Sequence, residues 1–419
     1  MSRIRVLVNL LWLVPGVVGG SEESTTDALR AVADAAPDDL DLRLAVLAPF
    51  LGAHPDLADR FECEVLDQDG RDKPRRVLAE QTWLARRTRD AGADVVHHAG
   101  GVVPLRHPGR TVLTIHDLQP LDLPHNFHPT KRTYIRAMAG RSVRAADVIC
   151  VPSVFTRRRV IEVLGASPDR VHVVPWSVRP PAVAADAAAD AAAPEAPGAA
   201  PDEAPEAPDE ALFPLPPELG DDPFLLYPAI TYPHKNHLVL LDAFALAARS
   251  DPDLRLVLTG GVSAAEGAVR ERIARPDLVG RVLRTGRVPT AQLERLFGSA
   301  RAVVVPSSYE GFGLPVLEAM ARGVPVIAAD AGSLPEVARP QDLVPADDVT
   351  AWADAMHAVV HESAGDRSDR IRSGRERAAR YTPGRTAAAL ATNYRRAAGT
   401  GAGPHDPSPP RTGEPQQHS

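Results

Sequence analysis

The sequence predicts an α/β protein of two doubly wound parallel sheets, each a Rossmann-like half with a ligand crevice at its strand C-termini. Three observations predict it. Short apolar runs alternate with helical stretches through the first 180 residues. The same alternation resumes at residue 224 and continues to about 362. Between them, residues 181–217 are Ala, Pro, Asp and Glu with almost no large apolar side chain. Such a stretch cannot bury enough surface to offset its ordering entropy, so it reads as a disordered insert between two folded halves.

In the first half, strands are expected at 4–12, 42–48, 94–98, 111–115, 147–151 and 171–175, with helices at 24–35, 74–91, 131–145 and 154–164. The opening MSRIRVLVNLLWLVPGVVGG has a basic end and an apolar stretch, as a signal peptide would. Asn9 and Pro15 interrupt it and no small-x-small cleavage site follows, so it reads as a buried first strand plus a glycine loop. In the second half, strands are expected at 224–229, 254–260, 281–286, 301–306 and 324–329. The helices fall near 237–249, 265–275, 290–299, 314–322 and 348–362. A last helix at about 382–397 is expected to pack back on the first half, and residues 399–419 read as a disordered tail.

Composition is that of a soluble globular chain, 44% hydrophobic and 24% charged. The net charge of −7 comes from the insert: residues 181–211 hold eight acidic side chains and no basic ones, and −7 + 8 = +1. The folded part is nearly neutral, which removes any charge argument for nucleic acid. No run of 18 apolar residues occurs, so no membrane span is expected. Cys63 and Cys150 lie far apart without metal-ligand neighbours and read as reduced, buried thiols of a cytoplasmic protein.

The most informative run is SYEGFGLPVLEAMARGVPVIAAD, with Glu310 and Glu318 eight residues apart. A strand, a glycine loop (310–313), a short helix and a second strand follow one another. Pro315 suits the first helical position and Gly323 the stop. The free amides at about Gly313 and Leu314 make an anion site, and Glu318 sits one turn further on, able to face the cleft. Phosphate-binding amides, two carboxylates and a glycine-lined pocket are what a nucleoside-diphosphate sugar needs.

Lys235 is the second anchor. Only three of the 47 basic residues are lysine, and this one, in YPAITYPHKNH, stands between a strand and a helix, a phosphate position. His234 beside it either assists or is an ordinary loop histidine. His116 ends a buried strand next to Asp117, where it can bond a sugar hydroxyl or carry a proton. The loop 15–24 offers Gly16, Gly19 and Gly20 for backbone approach, and Ser21 or Ser24 as a helix cap. Arg281, Arg284 and Arg287 surround a strand end at the second crevice; Arg287 either neighbours the base or phosphates or is a solvated charge. No metal is expected. His116, His125 and His128 are irregularly spaced in a Pro-rich loop, and the pairs Asp39/Asp41, Asp67/Asp69 and Asp251/Asp253 look like polar turns.

With these residues in place the chain resembles a retaining glycosyltransferase of the GT-B fold, similar to glycosyltransferase family 4. The resemblance is strongest in 224–238 and 281–338. It implies an acceptor-side domain at 1–180 and a nucleotide-sugar-binding domain at 218–398, facing across a cleft. It places Glu310 at the transferred sugar and Glu318 on the ribose hydroxyls. Gly311, Phe312, Gly313 and Leu314 offer backbone to sugar and diphosphate, and Lys235 binds the phosphates. His116 lies near the donor sugar, and Gly19 and Gly20 roof the cleft. No cofactor or metal is implied beyond the nucleotide sugar as co-substrate. The arginine that accompanies the lysine in many members is replaced by His234, or by Ile230 under the other common spacing.

The activity implied is transfer of a hexose, with retention, to a hydroxyl of a glycan or lipid-linked acceptor. GDP-mannose is the donor that the resemblance implies, because the segments HDLQPLDLPHNFHP and PHKN are similar to those of mannosyl-type members. A lipid-linked acceptor would bring peripheral contact at the inner face of the membrane. Front-face attack and covalent attack by Glu310 are both compatible with the residues. So are an epimerase or glycan phosphorylase on the same architecture, and a non-catalytic nucleotide-sugar-binding protein.

Overall fold

The computed structural model describes residues 3–17, 19–126, 129–178, 215–220 and 222–400. Most of the acidic insert, most of the tail and His128 lie outside these residues, and with them the disorder expected there.

The first seven strands are β1 (Ile4–Asn9), β2 (Leu40–Leu47), β3 (Glu62–Leu66), β4 (Val95–His98), β5 (Arg110–Thr114), β6 (Val148–Val151) and β7 (Val171–Val173). They form one parallel sheet in the order β3-β2-β1-β4-β5-β6-β7. The opening apolar run is therefore an interior strand: Val6 and Val8 are wholly buried, and Val6 pairs with Leu42 on one side and Val95 on the other. The second sheet contains β8 (Phe224–Pro228), β9 (Arg255–Thr259), β10 (Val282–Gly286), β11 (Ala302–Val305), β12 (Val326–Ala329) and β13 (Leu343–Val344). Its order is β10-β9-β8-β11-β12-β13, again parallel. Strand order reverses between β1 and β4 in one sheet and between β8 and β11 in the other, and ligands of open α/β sheets bind at such points.

Each half has its own apolar core. The second is one large cluster that includes Phe244, Phe297, Met320 and Trp352. The helix Pro383–Ala398 leaves that half and packs on the helix Gly20–Ala35, inserting Leu390, Ala391 and Tyr394 into the first half's core. Arg395 pairs with Asp39 at 2.7 Å, and Tyr394 Oη bonds His97 Nδ1 at 2.9 Å. The first sheet is thus completed by the last described helix of the chain.

Several elements escaped the periodic pattern. The edge strand β3 is half exposed, and the helices Ala48–Ala53 and Pro55–Arg60 are too short to show a period. The long helix Ala364–Ala378 is so rich in charge that only Gly374 and Ala378 are buried. Cys63, expected to be buried, lies half-exposed on β3, while Cys150 is buried in β6. Among the described residues no helix is long and apolar enough to cross a membrane.

Candidate active site

Four loops at strand C-termini converge between the two halves. Those after β1 and β5 come from the first sheet, and those after β8 and β11 from the second. The last two meet in an ion pair. After β8 the chain makes a single 3-10 turn, Pro233–Lys235, held where Tyr227 Oη donates to the Lys235 carbonyl at 2.7 Å. Asn236 takes the left-handed conformation (φ 59°), which asparagine tolerates better than most side chains, and its amide donates to the Ala346 carbonyl at 2.9 Å. Lys235 Nζ then lies 2.5 Å from Glu310 Oε1. Burial alone would raise the Glu310 carboxyl. The Lys235 ammonium, with hydrogen bonds from Lys235 and Ser307, outweighs it and holds the group below the usual carboxylate range. Glu310 is braced from behind: Ser333 donates its N–H (3.2 Å) and its hydroxyl (2.9 Å) to the Glu310 carbonyl.

The glycine loop then opens the helix Leu314–Ala321, with Gly313 as its N-cap at φ 107°. Pro315 is the second helical residue rather than the first. Val316 and Leu317 donate to the Gly313 carbonyl, so the amides of Gly313 and Leu314 are the ones left to face the loop. Gly311 is required by proximity. A β-carbon there would stand 2.4 Å from the carbonyl oxygen of His116. The Gly311 carbonyl accepts from Ser153 Oγ (2.7 Å) and Thr156 Oγ1 (3.1 Å) of the first half. Phe312 turns its ring into the core, 3% exposed, edge-on to Trp176 and Tyr381, so only its backbone is available to a ligand.

Glu318 lies one turn into this helix and faces the helix Gly20–Ala35 across the cleft. Burial pushes its carboxyl up to about 7; Arg322 opposes the shift, and the carboxylates of Glu23, Glu294 and Asp27 add to it. His116 sits in an aromatic frame, 5.6 Å from Trp12 and 5.5 Å from Trp176 between ring centres. Its Nε2 contacts the Ala99 carbonyl at 2.8 Å, which requires that nitrogen to carry the proton. Nδ1 is then a bare acceptor and has no protein partner. Burial lowers the imidazole to about 4, so the ring is neutral at pH 7. Asp117 does not couple to it; its carboxylate accepts from the Gln119 amide instead.

The remaining sequence-predicted residues are distributed around this centre. His234 is buried, stacked on Tyr232 and hydrogen-bonded to Gln119 of the opposite half. Burial, then Lys235, lowers it to about 4, so it brings no charge to the arginine slot. Arg287 reaches over the cleft mouth and donates to the Gly16 carbonyl at 2.6 Å. Arg284 is committed to a buried pair with Glu266, and Arg281 to the Ala248 carbonyl, so neither faces the site. Gly19 (φ 76°) caps the helix Gly20–Ala35 without side-chain help, and Ser21 and Ser24 lie inside the helix. A β-carbon on Gly19 would meet Ile230 of the other half at 3.6 Å, whereas one on Gly20 would meet nothing within 4 Å. His125 is exposed, on a 3-10 turn. The sequence reading missed Trp12 and Trp176, two of only four tryptophans, each just beyond the end of a strand.

Comparison with known proteins follows the same division. The family described as Glycosyltransferase Family 4 matches residues 18–180, and Glycosyl transferases group 1 matches residues 210–377. The O-antigen chain mannosyltransferase B of Escherichia coli is 30% identical over 268 residues, 63% of this chain and 63% of that protein's length. The D-inositol 3-phosphate glycosyltransferase of Nocardia farcinica is 29% identical over 93% of this chain and 84% of its own. Among solved structures, sucrose-phosphate synthase from Thermosynechococcus elongatus superposes with a TM-score of 0.68 at 20% identity, covering 94% of this chain and 99% of that one. Anabaena HepE in complex with UDP and glucose gives 0.64 at 17%, covering 93% and 98%. The two family models together span most of the chain, one over each parallel α/β sheet, and the chain belongs to the family 4, group 1 glycosyltransferases, with the GT-B fold.

Proposed function

We propose that this protein transfers a hexose from a nucleoside-diphosphate sugar to a hydroxyl of a glycan or lipid-linked acceptor, with retention at the anomeric carbon. The observation that carries the reading is the Lys235–Glu310 pair, at 2.5 Å, placed at the switch point of the second sheet in the loops after β8 and β11. In the donor complex the diphosphate takes over Lys235 and the amides of Gly313 and Leu314. These fixed positive groups face the charge that develops on the leaving phosphate, where preorganised electrostatics act most strongly. Glu310, released from the lysine and already ionised, lies beside the sugar as it becomes oxocarbenium-like. Glu318 accepts from the ribose hydroxyls. His116 accepts a sugar hydroxyl at Nδ1, and Gly19 and Gly20 close the cleft from the first half. Arg287 is the one arginine of its group at the cleft mouth and supplies the guanidinium that His234 does not. The residues of this site need no metal for these steps.

Mannose is the sugar we favour, and GDP-mannose the donor, because the Escherichia coli relative is named a mannosyltransferase. The reading is tested by thermal stabilisation with GDP, UDP, dTDP and ADP in parallel. A ligand at a hundred times its dissociation constant adds about 2.7 kcal/mol. One nucleotide should stabilise the wild type, and Lys235→Ala should lose the effect. A full shift in Lys235→Ala would remove the lysine from the donor site. Turnover with the matching nucleotide sugar, and the anomeric configuration of the product by NMR, then test transfer and retention.

A further inference from the structure

A second cluster of ligating side chains lies away from the cleft, at the far end of the second half. Asp251 ends the helix His237–Ser250, and His357 and His361 lie at the end of the neighbouring helix, Val349–Val360. The two histidines are four residues apart, so they project from the same helical face. Their rings lie 4.3 Å apart between centres and converge on one carboxylate. His357 Nδ1 is 3.2 Å from Asp251 Oδ2, and His361 Nε2 is 2.6 Å from Asp251 Oδ1. The three candidate ligand atoms all lie within 4.8 Å of one another.

We propose that Asp251, His357 and His361 form a binding site for a zinc-class divalent cation that clamps these two helix ends together. Tetrahedral zinc with bonds of about 2.0–2.1 Å places its ligand atoms roughly 3.3 Å apart, and the two histidine–aspartate separations of 3.2 and 2.6 Å lie near that value. Two imidazoles and one carboxylate make a borderline nitrogen-rich set. It suits zinc and its late transition-metal neighbours, not magnesium or calcium, which take oxygen ligands. The carboxylate is held in place, 12% exposed, whereas the histidines are 52% and 51% exposed, so the fourth position opens to water. The neighbouring Glu362 is engaged by Arg367 and Arg370 and is not available as a further ligand. On binding, the metal takes the ring nitrogens now directed at Asp251, and each neutral imidazole carries its single proton on its other ring nitrogen instead.

The site is structural, not catalytic. Helix His237–Ser250 begins beside Lys235 and ends at Asp251. At 1.5 Å per residue the cation would sit about 20 Å from the ion pair of the cleft. The proposal therefore does not depend on the transferase reading.

The test is zinc titration of tag-free protein stripped with EDTA, by calorimetry, beside His357→Gln, His361→Gln and Asp251→Asn. One equivalent of zinc should bind the wild type, and each variant should bind it at least about tenfold more weakly. Zinc should raise the melting temperature of the wild type and not of the variants, and cobalt should develop the visible bands of four-coordinate geometry only in the wild type. The stabilising nucleotide should shift all four proteins equally, which establishes that the variants are folded. Absence of zinc binding by the wild type, or retention of the same equivalent and affinity in the histidine variants, would overturn the proposal.

Discussion

On the proposed reading, Glu318 places function and stability in opposition. Its carboxyl is raised in the folded protein, from an ordinary value of 4.5 to about 7, chiefly by burial. A raised carboxyl contributes stability that is fully present below the unfolded value and is lost as pH climbs through the folded one. The donor-free protein should therefore weaken between about pH 4.5 and 7, by at most about 3 kcal/mol, and by less where water enters the cleft. Glu318→Gln has no such term. It should melt higher than the wild type at about pH 8 and equally in acid, while binding the donor nucleotide more weakly. Melting curves at two pH values and a nucleotide titration check both halves of the statement. His116 is a different case. Its ring is neutral and its free nitrogen is an acceptor, so His116→Ala should raise KM for the nucleotide sugar and leave affinity for the bare nucleotide nearly unchanged. Equal losses for both would place His116 at the phosphates instead.

At the scale of elements, the loop 310–313 can be tightened or spoiled by one methyl group. A β-carbon at Gly311 would press on the His116 carbonyl, which is backbone and cannot swing aside. Gly311→Ala should force the halves apart and lower turnover by at least about tenfold, in line with an ångström of misplacement at a reacting centre. Steady-state kinetics with the matching donor measure this. That loop was readable in the sequence because each of its parts is a local signal: glycines, a proline early in the helix, and carboxylates at fixed spacing. The central strands were readable too, since parallel strands buried on both faces are continuous apolar runs. Edge strand β3 carries ECEVL, which has no such run, and the helix Ala364–Ala378 buries too little to show a stripe. The aromatic frame of Trp12 and Trp176 around His116 was not readable at all. It joins residues far apart in the chain, and no local pattern links a tryptophan to a histidine that distant.

For the whole molecule, a set of polar bonds ties the two halves together. Tyr309 Oη donates to Asp122 at 2.9 Å and accepts from the Leu118 amide at 3.2 Å. Arg159 pairs with the same aspartate at 2.6 Å. The Glu336 carboxylate caps the first amides of helix Val154–Leu164 from the opposite half, at 2.9 Å to Val154 and 2.6 Å to Phe155. Aromatic contacts accompany these bonds, Phe155 against Tyr309 and Trp176 against Phe312, and contacts of this mixed kind let domains move on each other. Glu336→Gln combined with Tyr309→Phe should loosen closure while leaving each core intact. The radius of gyration from small-angle scattering should rise, turnover should fall, and the melting temperature should change little. An unchanged radius together with unchanged turnover would mean that these bonds do not govern closure.

The return of helix Pro383–Ala398 to the first sheet has a consequence for how the chain is made. β7 ends at Val173, roughly two hundred residues before that helix begins. A ribosome delivers the first half's strands long before it delivers the helix that covers them, leaving the groove that Leu390 and Tyr394 will fill open to water for most of synthesis. During that interval the nascent first half is a surface for chaperones, and early release of the chain at any point before the helix should leave it prone to aggregation.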